Sequence, residues 1–268
     1  MNLEPLLADL EAESDVLRAM VGAAGPEALQ RDTPAAGWTV AHQLAHLTWT
    51  DEMSTSAIAS VVPSVTAPRD WDSVLAEAAA APTTYVDEAA NVLAALDPTE
   101  LMTRWDDGRA ALVAALRAAP TDIRIPWYGP PMKSTSMVTA RFMETWAHGL
   151  DVATALGVDP EHTDRVRHVC HIGVATRRFA YAARGRIAPE APVRVSLTAP
   201  SGESWTWGDA VATHEISGPA WEFAQVAVRR LHPDDTSLIA TPGPAQEWLE
   251  IIQAFAGPPG ADPQPGRR

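Results

Sequence analysis

The sequence predicts a mostly helical protein: a helical bundle over about residues 1–184, a small α+β domain over about residues 190–256, and a loosely ordered tail over 257–268. Two observations carry this prediction. Up to about residue 184, apolar residues recur at helical spacing in long segments separated by Gly, Pro and short polar stretches. After Gly185 the pattern changes to strict alternation in Val193-Arg194-Val195-Ser196-Leu197-Thr198, the mark of a half-buried strand. A chain of 268 residues is long enough to bury a substantial core in each part.

Taken in order, residues 3–23 form a first helix, with Leu3, Leu6, Leu7, Leu10, Val16, Leu17 and Met20 as its apolar positions and Gly25-Pro26 as its stop. Thr39 is the expected N-cap of a second helix over about 40–60, with Gln43 close to the capping-box position. A third, Ala-rich helix is expected over 71–96, interruptible at Pro82. A fourth opens at Asp97-Pro98-Thr99-Glu100, with Pro and acid in its first turn, and runs to about Ala118. Residues 120–131 are irregular and rich in Pro and aromatics, which reads either as an ordered loop covering something or as a rigid crossover. A further helix runs over about 134–156 with Gly157 as its C′ residue, and another over about 161–184. Beyond the strand at 193–198, Ser201-Gly202 turns into a hairpin partner at 203–208. A third strand is expected at 213–218, a helix at 220–231, a short strand at 237–240 and a last helix at 244–256. Strands and helices mixed in one segment indicate an α+β unit.

The stretch most charged with chemistry lies on the helix over 134–156. Arg141, Glu144, His148 and Asp151 are spaced three, four and three apart, so they share one stripe. Phe142, Met143, Trp146 and Leu150 flank it, so the stripe borders the core, where unpartnered charge is costly. A metal ion resolves the conflict: Glu144 and His148, one turn apart, can aim an oxygen and a nitrogen at one point. The best third ligand is His46 on the second helix. His42, one turn earlier, can replace or join it. Two histidines and a carboxylate leave a position open for water or substrate, as in a catalytic zinc site. Ligand type alone leaves nickel, cobalt and iron open beside zinc.

Trp38-Thr39 followed by His46-Leu47, and later Arg141-x-x-Glu144-x-x-x-His148-x-x-Asp151, resemble the DinB-like metal-binding helical bundle, and within it the mycothiol-dependent maleylpyruvate isomerase branch. The resemblance implies a divalent metal, zinc first, held by His46, Glu144 and His148. It implies mycothiol as thiol cosubstrate, a small-molecule substrate, and a sterol-carrier-like C-terminal domain. It also favours His46 over His42 as the ligand. In one place the chain departs from the family: where a Gly-Arg pair is expected, with its Arg assigned to substrate binding, Arg229-Arg230 stands. That departure sets maleylpyruvate itself in doubt as the substrate.

Around the ligand set, Arg141 is a candidate to clamp a substrate carboxylate or to pair with Glu144. Asp151 is a candidate to orient His148 as a hydrogen-bond acceptor, with a plain helix-terminal acid as the alternative. Arg230 is a candidate to reach substrate from the second domain. Trp49, Trp127 and Tyr128 are candidates to wall a pocket for substrate or cosubstrate, with core packing as their other use. Three chemistries stay open on these residues: thiolate addition to an electrophilic carbon, hydrolysis or Lewis-acid catalysis with water, and binding without catalysis.

Composition narrows the partners. A net charge of −14 disfavours a nucleic-acid backbone or an anionic membrane. No apolar run approaches the length of a membrane span and no signal peptide is visible, so a cytoplasmic protein is expected. The single cysteine, Cys170, permits no internal disulfide. It lies between His168 and His171, but the spacing matches no usual zinc pattern, and a helical thiol serves mostly as a small apolar filler. Basic residues are nearly all Arg, with Lys133 the single Lys, a composition that points to a high-GC bacterium and agrees with the actinobacterial host that the resemblance implies.

Overall fold

The computed structural model describes residues 2–266. Its contacts divide the chain into two compact units, one ending at Pro160 and one starting at Glu161. The first unit is a helical bundle: α1 (Leu3–Ala24), α2 (Val40–Ala59), α3 (Trp71–Ala80), α4 (Tyr85–Ala94), α5 (Pro98–Ala118) and α6 (Ser134–Leu156). The expected third helix is two, because Pro82 cannot donate to the helical ladder and the chain turns over Ala81–Thr84. Asp70 caps α3 by accepting from Ser73 N at 2.9 Å, and Asp97 caps α5 by accepting from Thr99 N at 2.9 Å. Gly157 closes α6 at φ 69°, a left-handed conformation that costs Gly little.

The bundle is built around α2, which packs against α4, α5 and α6, while α1 lies along α6. Every residue of α2 except His42, Glu52 and Ala59 is buried, a state normally reserved for helices apolar on all sides. Its hydroxyls make this possible by bonding back into their own helix. Thr48 donates to the Leu44 carbonyl at 2.8 Å, Thr50 to His46 at 2.7 Å and Ser54 to Thr50 at 2.7 Å. The helix thereby enters the core with its polar side chains satisfied, and can present His46 from within.

The second unit carries α7 (Arg167–Ala175), α8 (Arg177–Ala182), β1 (Val193–Thr198), β2 (Ser204–Trp207), β3 (His214–Pro219), α9 (Ala220–Ala227), β4 (Ile239–Ala240) and α10 (Pro244–Ile251). The sheet order is β2-β1-β3-β4. β1 pairs antiparallel with β2 (Val195 opposite Trp207) and parallel with β3 (Val195 opposite Ile216), and β4 closes antiparallel on β3. Gly208 (φ 89°) is obligatory beside this pairing, since a Cβ there would fall 2.6 Å from the Val193 carbonyl. The class is thus the expected one, mostly α with a small α+β unit at the C-terminal side. Among the described residues, the first unit holds only isolated bridges, Asp32 with Thr39 and Ile125 with Met132.

The segment 161–184, expected as one helix of the bundle, differs on both counts. It breaks at Thr176, whose hydroxyl bonds the Ile172 and Gln253 carbonyls at 2.8 and 2.7 Å, and it groups with the sheet. The reason is local fit. Val169, Cys170 and Gly173 form the buried face of α7, and at Gly173 a Cβ would stand 3.0 Å from Ala227 Cβ of α9. The missing side chain eases this approach, since an added Cβ would press on Ala227.

Candidate metal centre

α2 and α6 pack side by side and bring His46 of the first onto Glu144 and His148 of the second. His46 Nε2 lies 3.1 Å from Glu144 Oε2, and His148 Nε2 lies 3.4 Å from the same oxygen. One donor atom from each of the three residues falls within 4.8 Å of the others, and the imidazole centroids are 4.6 Å apart. Burial alone would raise the Glu144 carboxyl, but the hydrogen bonds and charge of His148 and His46 hold it well below the usual carboxylate range. A buried carboxylate kept ionised between two ring nitrogens is a place that calls for positive charge.

The residues fit a divalent cation. The donor set is that of an open zinc-type site, and the rings are turned so that Nε2 faces inward on both histidines. His46 Nδ1 is buried without a hydrogen-bond partner, so what meets Nε2 is what orients that ring. His148 is held from behind: its Nδ1 donates to Gln43 Oε1. Trp38 covers the two rings, its indole stacked on His148 at 6.1 Å and 19° and lying 5.4 Å from the His46 ring.

Several expected roles are reassigned by the packing. His42 is the capping-box residue that Gln43 was expected to approach. Its Nδ1 accepts from Thr39 N at 3.2 Å, and its Nε2 reaches Asn91 Oδ1 at 3.1 Å. Both ring nitrogens are engaged, so His42 is not part of the donor cluster. Gln43, freed from the cap, stands behind His148 at Nδ1, and Asp151 is buried one turn further along α6. Arg141 is turned toward α2. It is 3% exposed and donates to Asp51 Oδ1 at 2.9 Å, with both side chains closed off from solvent. Arg141 therefore ties α6 to α2, and its carboxylate partner is Asp51 where Glu144 was the expected one.

Trp49, Trp127 and Tyr128 belong to one aromatic cluster with Trp71 and Tyr85. Trp49 stacks with Tyr128 at 6.4 Å and meets Tyr85 edge-on at 5.3 Å. Trp71 lies 5.8 Å from Trp127 and 5.3 Å from Tyr128. The cluster reaches the donor set through Trp49, whose ring is 6.2 Å from His46. The irregular stretch 120–131 is thus an ordered loop covering this cluster, pinned where Ile125 and Met132 exchange backbone bonds of 2.8 and 3.0 Å. In the second unit, Arg230 follows α9 and its Nη1 donates to the Val228 carbonyl at 2.9 Å. Its neighbour Arg229 is the one non-Gly residue at positive φ (60°) among those described, and it pairs with Asp262.

Sequence reasoning passed over Gln43, Trp38 and Asp51 as members of the site. For Gln43 a signal existed: it stands three residues before His46, on the same face of α2. Asp51 had none, because its partner lies ninety residues away on α6.

The helical bundle that brings two imidazoles and a carboxylate together from two of its helices has the architecture of the DinB-like superfamily. Residues 10–153, which contain the whole donor cluster, match the family described as the mycothiol maleylpyruvate isomerase N-terminal domain, and the chain belongs to that family. It is 44% identical over 256 residues to uncharacterized proteins from two strains of Mycobacterium tuberculosis, covering 96% of this chain and 97% of each relative. Two crystal structures, of the mycothiol-dependent maleylpyruvate isomerase and of a histidine-to-alanine mutant of it, superpose with TM-scores of 0.59 and 0.61. The likeness covers 94% of this chain and 97% of those, at 15% identity, and it speaks for the fold. No described helix is long and apolar enough to cross a membrane.

Proposed function

We propose that this protein is a metal-dependent enzyme of the transferase or isomerase type, using mycothiol as cosubstrate and a small electrophilic molecule as substrate. The observation that carries the reading is the convergence of His46 Nε2, Glu144 Oε2 and His148 Nε2, inside the segment that matches the mycothiol maleylpyruvate isomerase family. These three residues would hold the divalent cation. When bound, such a cation supplies Lewis acidity, lowering the pKa of a thiol or water and polarising an electrophile.

The chain's own residues supply the rest. Glu144 brings the negative charge that retains a cation, and Gln43 and Trp38 hold the imidazoles in place. The aromatic cluster that starts at Trp49 offers apolar surface beside His46. An external thiol is needed because the protein offers none: Cys170 belongs to the second unit's core, fully buried, with its thiol pushed far up by that burial. The substrate is proposed to differ from maleylpyruvate. Arg229 stands where the family carries Gly, and its left-handed φ of 60° is the conformation that a Gly at that point would serve.

The test is metal analysis together with thiol consumption. Wild-type protein should retain divalent metal through gel filtration and consume mycothiol in the presence of activated alkenes or epoxides. His148→Ala and Glu144→Gln should lose metal and turnover together. Metal-dependent turnover that runs equally well without thiol would replace this reading with a water-activating one.

A further inference from the structure

Behind His148 runs a chain of hydrogen bonds whose direction is fully determined by its far end. The Trp38 carbonyl can only accept. It receives the backbone N–H of Thr33 at 2.9 Å and the Thr33 hydroxyl at 2.8 Å. The single hydroxyl hydrogen of Thr33 is therefore spent, and Thr33 Oγ1 is an acceptor toward Gln43, 2.9 Å away. That places the amide NH₂ of Gln43 on Thr33 and its carbonyl oxygen on His148 Nδ1. An amide oxygen cannot donate, so Nδ1 must carry a proton, and a neutral His148 then has its lone pair on Nε2, the atom that faces Glu144 and His46. Gln43 is 0% exposed, so water does not compete for either end of its amide.

We propose that Gln43 is a positioning residue that sets the tautomer and ring orientation of His148 through the Trp38–Thr33–Gln43 chain, and so keeps His148 ready as a metal ligand. The same short loop, residues 31–39, closes the arrangement from two sides. Its backbone anchors the proton order at Trp38, and the Trp38 indole lies over the His148 ring. Outer groups of this kind, bonded to a ligand's second nitrogen, typically tune metal affinity by about 10–100-fold. Gln in place of the commoner carboxylate gives direction without a second buried negative charge beside Glu144.

The proposal rests on the reading of His148 as a ligand, and the experiment separates the two. Zinc affinity is measured by competition with a chromogenic chelator for wild type, Gln43→Leu, Gln43→Glu and Thr33→Val. Ring nitrogen shifts of His148 are recorded by NMR at pH 8 on the metal-free proteins in a Glu144→Ala background, so that no carboxylate draws a proton onto Nε2. Gln43→Leu should weaken zinc binding by about 10–100-fold and shift His148 toward the Nε2–H tautomer. Gln43→Glu, which still accepts from Nδ1–H, should restore both readouts. Thr33→Val leaves Gln43 in place but removes the acceptor that orders its amide, so it should move the tautomer ratio in the same direction as Gln43→Leu. It serves as the test should Gln43→Leu fail to fold. Wild type that binds no zinc sinks the ligand reading, and the tautomer data then still decide the role of Gln43. Wild type that binds zinc, with Gln43→Leu matching it in affinity and tautomer, overturns this proposal alone.

Discussion

Cys170 shows how far burial decides what a side chain can do. Its thiol is 0% exposed and donates to the Ala220 carbonyl at 3.4 Å. Burial pushes its pKa far above that of a free thiol, so at neutral pH no thiolate is present to act as nucleophile or ligand. Folded protein at pH 8 should therefore resist a maleimide or iodoacetamide for hours and react at once in denaturant, as followed by mass spectrometry. Rapid alkylation in the folded state would return Cys170 to the list of candidate nucleophiles. His42 and His46 make the same point. They stand one helical turn apart and are the same residue type, yet one closes the N-terminus of α2 and the other enters the donor cluster. Helical spacing alone does not separate them, because the difference lies in what each ring meets across the bundle: Asn91 for His42, Glu144 for His46.

At the level of elements, the site depends on how α2 and α6 are held together. The Arg141–Asp51 pair lies between them at 2.9 Å, with side chains only 4% and 8% exposed. Burial pushes the Asp51 carboxyl above its ordinary value while the Arg141 guanidinium draws it back, which is the balance expected of a buried pair. Such a pair adds little net stability but is costly to break from one side. Asp51→Asn should destabilise the fold by about 3–5 kcal/mol in urea unfolding. The double replacement Asp51→Leu with Arg141→Met should fall within about 1–2 kcal/mol of wild type or exceed it. Equal losses for the single and double variants would mean that the ion pair itself contributes the stability. A pair of this kind fixes the offset of one helix against the other, since sliding α6 by a turn would leave both charges unpaired. That offset is what aligns Glu144 and His148 with His46.

For the molecule as a whole, the proposed cation belongs to the first unit and ties two of its helices. A ligand bound only by the folded state stabilises it by mass action, about 2.7 kcal/mol at a free concentration of 100 times Kd. Chelation should therefore lower the melting temperature of the metal-loaded protein by roughly 5–10 °C, given about 2–4 °C per kcal/mol for a domain of this size. His148→Ala should melt at the same temperature with or without chelator. A wild-type transition indifferent to chelator would count against a bound metal. The net charge of −14 acts on the whole molecule, since it opposes the close approach of other polyanions.

The sequence by itself determined the class of the fold, because periodicity is a local property. Helical spacing up to the last bundle helix and alternation from Val193 survive any arrangement of neighbours. It also held the donor residues: Glu144 and His148 share a face by spacing alone, and the family resemblance carried by His46-Leu47 favoured the third over His42. The tertiary structure decided everything that depends on which distant group comes within 3 Å. It gave Arg141 to Asp51 and His42 to the cap, and it set Gln43 behind His148. It also placed the segment from Glu161 onward with the sheet, where a missing Cβ at Gly173 admits α9. The physical reason is one of range. Helix and strand patterns are written within a few residues, whereas a hydrogen-bond partner is chosen by packing across the fold, and no local pattern records it.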